Sequence, residues 1–215
     1  DCQSLASIEI PNSVTTIEGY AFSGCSSLAS ITIGDGVTAI RDYAFNGCTS
    51  LKELHIADGD GTLSLGYNGY SSSDTGKGLF YDCPLETLYL GRDLSYKTSW
   101  DYGYSPFFNH AKLTSVTIGN KVTTIGYALF AYCSSLTSIE IPNSVTTIGK
   151  NAFSARSSLT SISVAAGNTT YDSRDNCNAI IETATNTLIL GCQNTVIPNS
   201  VTTIGDEAFY YCTDL

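Results

Sequence analysis

Positive charge is scarce in this chain of 215 residues: 10 Lys and Arg stand against 20 Asp and Glu, for a formal charge of −10. No two basic residues are adjacent, so there is no cluster to neutralise a run of phosphates, and nucleic acid is not an expected partner. Charge of either sign is thin, at 14% where about a quarter is usual. Ser and Thr, 27 and 26 of them, take its place and predict a hydroxyl-rich surface. No apolar run approaches the roughly 18 to 20 residues of a membrane helix, so no membrane insertion is expected within the chain. The start, Asp1-Cys2-Gln3-Ser4, has neither a basic stretch nor an apolar core, so these residues are no signal peptide. Cys-x-x-Cys pairs are missing and the two His, His55 and His110, fall in different repeats, which leaves a zinc site without support. What is plentiful is apolar surface, 42% of residues, enough for a core and against a disordered chain.

That apolar content is periodic. Ser-Leu-Ala-Ser-Ile-Glu-Ile-Pro-Asn-Ser-Val-Thr-Thr-Ile from Ser4 returns almost unchanged from Ser135. The full unit reads Cys-x-x-Leu-x-x-Ile-x-Ile-(Pro)-x-x-Val-x-x-Ile-x-x-x-Ala-Phe-x-x-Cys, starting at Cys2, Cys25 and Cys48. The Phe column runs Phe22, Phe45, Phe80, Phe108, Phe130, Phe153 and Phe209, and the position three residues on holds Cys25, Cys48, Cys83, Ala111, Cys133, Arg156 and Cys212. Alternating pairs such as Ile8/Ile10, Ile31/Ile33 and Leu88/Leu90 predict short strands with one buried face. One such unit cannot bury its own apolar side, so stacked copies share a core and their strands pair in parallel. The fold class is therefore α/β: a single solenoid of seven to eight repeats over 1–215, with short parallel strands on one face. Ala-Phe is expected to close each coil as a short helical turn.

These units resemble the BspA-like, or Treponema-type, leucine-rich repeat family. The resemblance implies a leucine-rich-repeat-like solenoid with its strands on the concave face. It also implies a surface or secreted location and, as in several members, adhesion to host proteins. No cofactor follows from it.

The departures from the pattern are inserts at 58–78, 95–106 and 165–194, and loops that break a repeat are candidates for function. The first carries Tyr67 and Tyr70, the second Tyr96, Trp100, Tyr102 and Tyr104. Adjacent units should bring them side by side. Outward residues of the same two units are Glu53, His55, Thr87 and Tyr89. Together these ten are the candidate ligand-binding residues, because rigid rings supply contact area while hydroxyls and amides supply hydrogen bonds. The same rings would equally suit covering the core, since the fourth unit has no clear Ile after Leu94. An extracellular protein or a glycan is the expected ligand; a structural spacer, or a carbohydrate-binding region of a larger surface protein, is the alternative.

The third insert reads as a β-hairpin, Asn178–Ile181 against Thr187–Leu190, after which Thr195–Pro198 restarts the repeat as a further strand. Its resemblance to an insertion in the family favours elaboration of the fold over a binding site. A register pairing Ile180 with Ile189 would set Cys177 opposite Cys192, a possible disulfide. The six Cys of the repeat column are expected as buried free thiols. Asp58-Gly59-Asp60-Gly61 opens like a calcium loop but lacks its acidic twelfth position. His55 lies near Glu53 without a nucleophile elbow, so no catalytic residues and no metal are expected. Asn168-Thr169-Thr170 fits a glycosylation sequon. Because the chain begins and stops within the repeat motif, a piece of a larger protein is expected.

Overall fold

The computed structural model describes residues 2–70, 76–99, 103–155, 157–210 and 212. Seven four-residue strands recur once per coil: Ser7–Ile10, Ser30–Ile33, Glu53–Ile56, Thr87–Leu90, Ser115–Ile118, Ser138–Ile141 and Ser161–Val164. The first five form one parallel sheet and the last two a second, and within each sheet neighbouring coils pair in unshifted register. Alternation explains this, because the register that keeps Ile8, Ile31 and Leu54 level also keeps every apolar side chain on one face. A one-residue slip would turn that whole row into water.

On the returning side of each coil lie two- or three-residue strands: Thr16–Ile17, Ala39–Ile40, Leu63–Leu65 and Leu94–Ser95 in one sheet, and Thr124–Ile125 with Thr147–Ile148 in another. Leu63–Leu65 therefore stands in for the regular Val-x-x-Ile of its coil, although it falls inside the segment that breaks the repeat. The extra chain proper is the hairpin that follows, Tyr67–Tyr70 with Gly76–Gly78.

Between the two faces runs a long apolar core, and a second, smaller cluster of Cys177, Ala179, Ile181, Leu188 and Ala208 lies by the C-terminal hairpin. In the long core, the centre is a ladder of six stacked rings, Phe22, Phe45, Phe80, Phe107, Phe130 and Phe153, at centroid spacings of 5.2 to 5.8 Å. The fourth rung is Phe107 and not Phe108. Accordingly, the residue three places on is the buried His110, not Ala111. The backbone agrees: Gly24, Gly47, Asn109, Tyr132 and Ala155, each two residues after its ladder Phe, have positive φ. A second left-handed residue stands three places after the returning Ile, at Tyr20, Tyr43, Ala128, Asn151 and Glu207. Two such residues in one segment interrupt helical φ. The Ala-Phe segments are consequently chains of tight turns, such as Ala21 N–H to Glu18 O, Ser23 N–H to Tyr20 O and Cys25 N–H to Phe22 O. Among the described residues the one helical element is a 3₁₀ turn at Arg174–Asn176.

The thiol column has a similar logic. Cys48, Cys83 and Cys133 direct their S–H groups at the carbonyls of Phe22, Phe45 and Phe107 in the preceding coil. Burial pushes the thiol of Cys48 up to about 11 and that of Cys133 up to about 12, so neither is a thiolate at neutral pH.

Near the C-terminus, Ile180–Glu182 and Thr187–Leu190 form the antiparallel hairpin, joined on one edge by Tyr171–Asp172 and on the other, in parallel, by Thr203–Ile204. The hairpin is thus built into the returning side of the stack. Two expectations are corrected here. Cys177 and Cys192 are both free, because a bulge between Ile180 and Ile181 pairs Ile180 with Leu190; the Cys192 sulfur instead meets the Asn178 amide at 3.2 Å. Thr195–Pro198 forms no strand, and Val196 and Ile197 are exposed.

Candidate functional site

The outward side chains of the strand face line two joined grooves, of about 400 Å³ over coils two to five and about 500 Å³ over coils five to seven, sharing Ser115 and Thr117. Of the twelve outward strand residues that line them, eight are Ser or Thr. The register that levels the core also levels the row Glu9, Thr32, His55, Tyr89 and Thr117. Within it, the imidazole of His55 stacks on the Tyr89 ring, 4.4 Å between centroids and 6° from parallel. The Tyr89 hydroxyl donates to Asp58 Oδ1 at 2.9 Å, fixing the phenol at the mouth of the groove. Slight burial and that carboxylate raise the Tyr89 pKa, so the phenol stays neutral. Glu53 and Thr87 lie on the same two strands, both exposed, in register with each other.

The inserts sit elsewhere. They do lie side by side: a Cβ on Gly76 would run into the Tyr104 ring, and one on Gly103 into the backbone of Gly76. Tyr67 meets Tyr104 edge-on at 5.4 Å, and Lys97 Nζ lies 4.2 Å from the Tyr104 ring centre and 5.3 Å from that of Tyr67. Tyr67 also extends a second ring column, Tyr20 on Tyr43 at 5.0 Å and Tyr43 by Tyr67 at 6.4 Å. That column rises from the turns after the returning strands, away from the strand face. Tyr104 is buried, and Tyr96 is partly buried, its hydroxyl donating to Tyr127 O at 2.8 Å. Burial raises the Tyr96 pKa well beyond the usual phenol range. Asp82 pins the hairpin, accepting from Asn68 Nδ2 at 2.8 Å, Asn46 Nδ2 at 3.2 Å and the Gly47 N–H at 3.3 Å. Tyr70 ends the first hairpin strand, opposite Gly76. Trp100 and Tyr102 lie outside the described residues. The ten candidates therefore divide: Glu53, His55, Thr87 and Tyr89 share the strand face, while Tyr67, Tyr96 and Tyr104 pack within or beside the inserts.

Two residues escaped the sequence reading. Arg92 is fully buried, its Nη1 and Nη2 donating to Asp35 O and Gly34 O, each at 2.8 Å, so it straps coil four to coil two beneath Gly59. His110 replaces a Cys in the thiol column. Burial pushes it down to about 4, against a hydrogen bond to the Pro106 backbone that favours the charged form. Its ladder position was signalled by Asn109, a turn-forming residue where other coils have Gly24 and Gly47.

Among the described residues no group of three or more His, Cys, Asp or Glu could hold a metal ion. Asp58 receives Tyr89, and Asp60 pairs with Lys121 at 2.7 Å, which holds its carboxyl below the usual range. The Asn168 amide is already spent: Nδ2 donates to Pro142 O and Val145 O, both at 2.9 Å, and Oδ1 accepts from the Thr170 and Tyr171 N–H groups. No described helix is long and apolar enough to cross a membrane.

Parallel rungs, a Phe ladder and a hydroxylated strand face define a leucine-rich repeat solenoid. Residues 1–73 and 190–215 match the BspA type leucine-rich repeat region in six copies. It is similar to a leucine rich cell surface protein from Faecalibacterium prausnitzii, at 29% identity and a TM-score of 0.59, over 98% of this chain and 54% of that one. The pneumococcal vaccine antigen PcpA shares the fold at 20% identity and a TM-score of 0.66, over 96% of this chain and 53% of the antigen. The chain thus spans about half the length of these two structures. No curated protein gives a significant match.

Proposed function

We propose that this solenoid is a noncatalytic recognition module of a surface or secreted protein, and that it engages an extracellular macromolecule through its strand face. The observation that carries this reading is the His55–Tyr89 pair, a preformed ring platform held by Asp58 in a groove whose other outward residues are Glu53 and five Ser and Thr. Rigid rings held in advance lose little entropy on binding, which is how aromatic residues make productive contacts. The similarity to a protein described as leucine rich and cell-surface supports the location. The packing of Tyr96 and Tyr104 supports a structural part for the inserts, with Tyr67 and Lys97 at their margin.

The test is a binding screen against immobilised extracellular-matrix glycoproteins and a glycan array, with the wild-type chain and with Tyr89→Ala and Trp100→Ala. The expected result is a partner lost with Tyr89→Ala while the melting temperature stays unchanged. Binding that survives Tyr89→Ala would overturn the strand face as the site, and binding lost only with Trp100→Ala would move it to the inserts.

A further inference from the structure

We propose that the strand-face groove takes an extended polypeptide segment bearing arginine, with a guanidinium seated on the His55–Tyr89 ring pair. This rests on the recognition reading above and specifies the chemistry of the partner. Each of the seven strands turns two residues outward, and among them are Glu9, Glu53 and Glu140 but no Lys or Arg. Lys52, next to Glu53 in the chain, is engaged with Glu86 at 2.9 Å, and Lys121 with Asp60 at 2.7 Å. Glu9, Glu53 and Glu140 have no ion-pair partner among the described residues. The strand face therefore presents uncompensated negative charge, at Glu53 and Glu140 within the grooves and at Glu9 beside them, and complementarity calls for a cation.

The rings make the choice narrower. In register on either side of the pair stand Thr32 and Thr117, whose short side chains leave the outer ring faces uncovered. Glu53 shares a strand and a face with His55, two residues apart and so about 7 Å along the strand, and Glu140 stands two coils beyond Tyr89, on the first strand of the second sheet. A planar guanidinium can stack on a ring and still offer its fork to a carboxylate, which a Lys ammonium cannot do bidentately. An extended segment turns alternate side chains to the same side every ~7 Å, matching the spacing from Glu53 to the rings. Ser30, Thr87 and Ser115 offer hydroxyls to its backbone. A neutral glycan could also use the rings but would leave the carboxylates unmatched.

The experiment measures fluorescence anisotropy of labelled synthetic peptides of Gly-Ser-Arg, Gly-Ser-Lys and Gly-Ser-Glu repeats on the whole chain, at low and raised salt. The Arg peptide should bind about tenfold tighter than the Lys peptide and the Glu peptide not at all. The double variant Glu53→Gln/Glu140→Gln should weaken Arg-peptide binding about tenfold. The control Glu18→Gln/Asp206→Asn, which removes as much charge from exposed turns off the face, should keep it. Equal affinity for Arg and Lys peptides, or equal losses in the two double variants, would reduce the effect to the overall negative field and overturn the proposal. The two readings fail separately. A screened partner lost with Tyr89→Ala but indifferent to salt and to Glu53→Gln/Glu140→Gln would leave the strand-face site standing and remove the arginine seat.

Discussion

The strand-face rings and the insert rings are made of the same residue types and come from neighbouring coils, yet the fold uses them in opposite ways. His55 and Tyr89 stand on regular strands, in contact with one another, and one hydroxyl bond to Asp58 ties them to the scaffold. Tyr96 and Tyr104 stand on irregular chain and are spent on packing, as are the backbone contacts of Gly76 and Gly103 beside them. A strand in an unbroken ladder already has its backbone satisfied, so its outward side chains are free for a partner. An insert has no ladder and must supply its own core.

If that contrast is right, damage near the fourth coil should appear as lost stability and damage on the strand face as lost binding. The largest effect is expected at Phe107, the fully buried rung into which the second insert leads. Phe107→Ala should cost about 4 kcal/mol in chemical denaturation, against about 1 kcal/mol for the half-buried Phe108. Reversed values would return the ladder to Phe108.

His110, buried in the fourth coil, gives stability a pH dependence. Its folded pKa of about 4 lies below the ordinary 6.5, so between these values the unfolded chain holds a proton that the folded chain does not. Stability should therefore be intact above about pH 6.5, fall as pH drops towards 4, and lose on the order of 3 kcal/mol over that window. Urea denaturation at a series of pH values checks this, and His110→Cys, the residue of neighbouring coils, should flatten that part of the profile.

The smallest and most direct comparison is between two tyrosines. Tyr104→Ala should cost about 2 to 3 kcal/mol, and Tyr89→Ala less than about 1 kcal/mol, since Tyr104 is buried and Tyr89 is not. Comparable losses in thermal unfolding would break the division between packing rings and presenting rings.

The repeat was readable because each coil imposes the same two-residue alternation, and the seven four-residue strands fall where Ile-x-Ile or its equivalent stands. Phe107 was misread as Phe108 because the two are adjacent and Ala111 imitates a small residue of the thiol column. A buried His is plausible there only once the Pro106 carbonyl is known to face it. The short helix expected at Ala-Phe failed for a local reason, the pair of left-handed residues. At Tyr20, Tyr43 and Glu207 these are not residue types that announce positive φ. Leu63–Leu65 was hidden inside an insert because Leu-Ser-Leu lacks the Val-Thr-x-Ile signature, and it became a rung only by pairing with Ala39–Ile40.

Period and polarity along the chain determined a solenoid with a hydroxyl-rich, cation-poor strand face, because an apolar stripe repeated every coil has no other way to leave water. Which rings face solvent was decided only in three dimensions. A tyrosine carries the same phenol whether it caps a groove or plugs a gap, and only neighbours far away in the chain, such as Asp58 for Tyr89 and Tyr127 for Tyr96, select between the two.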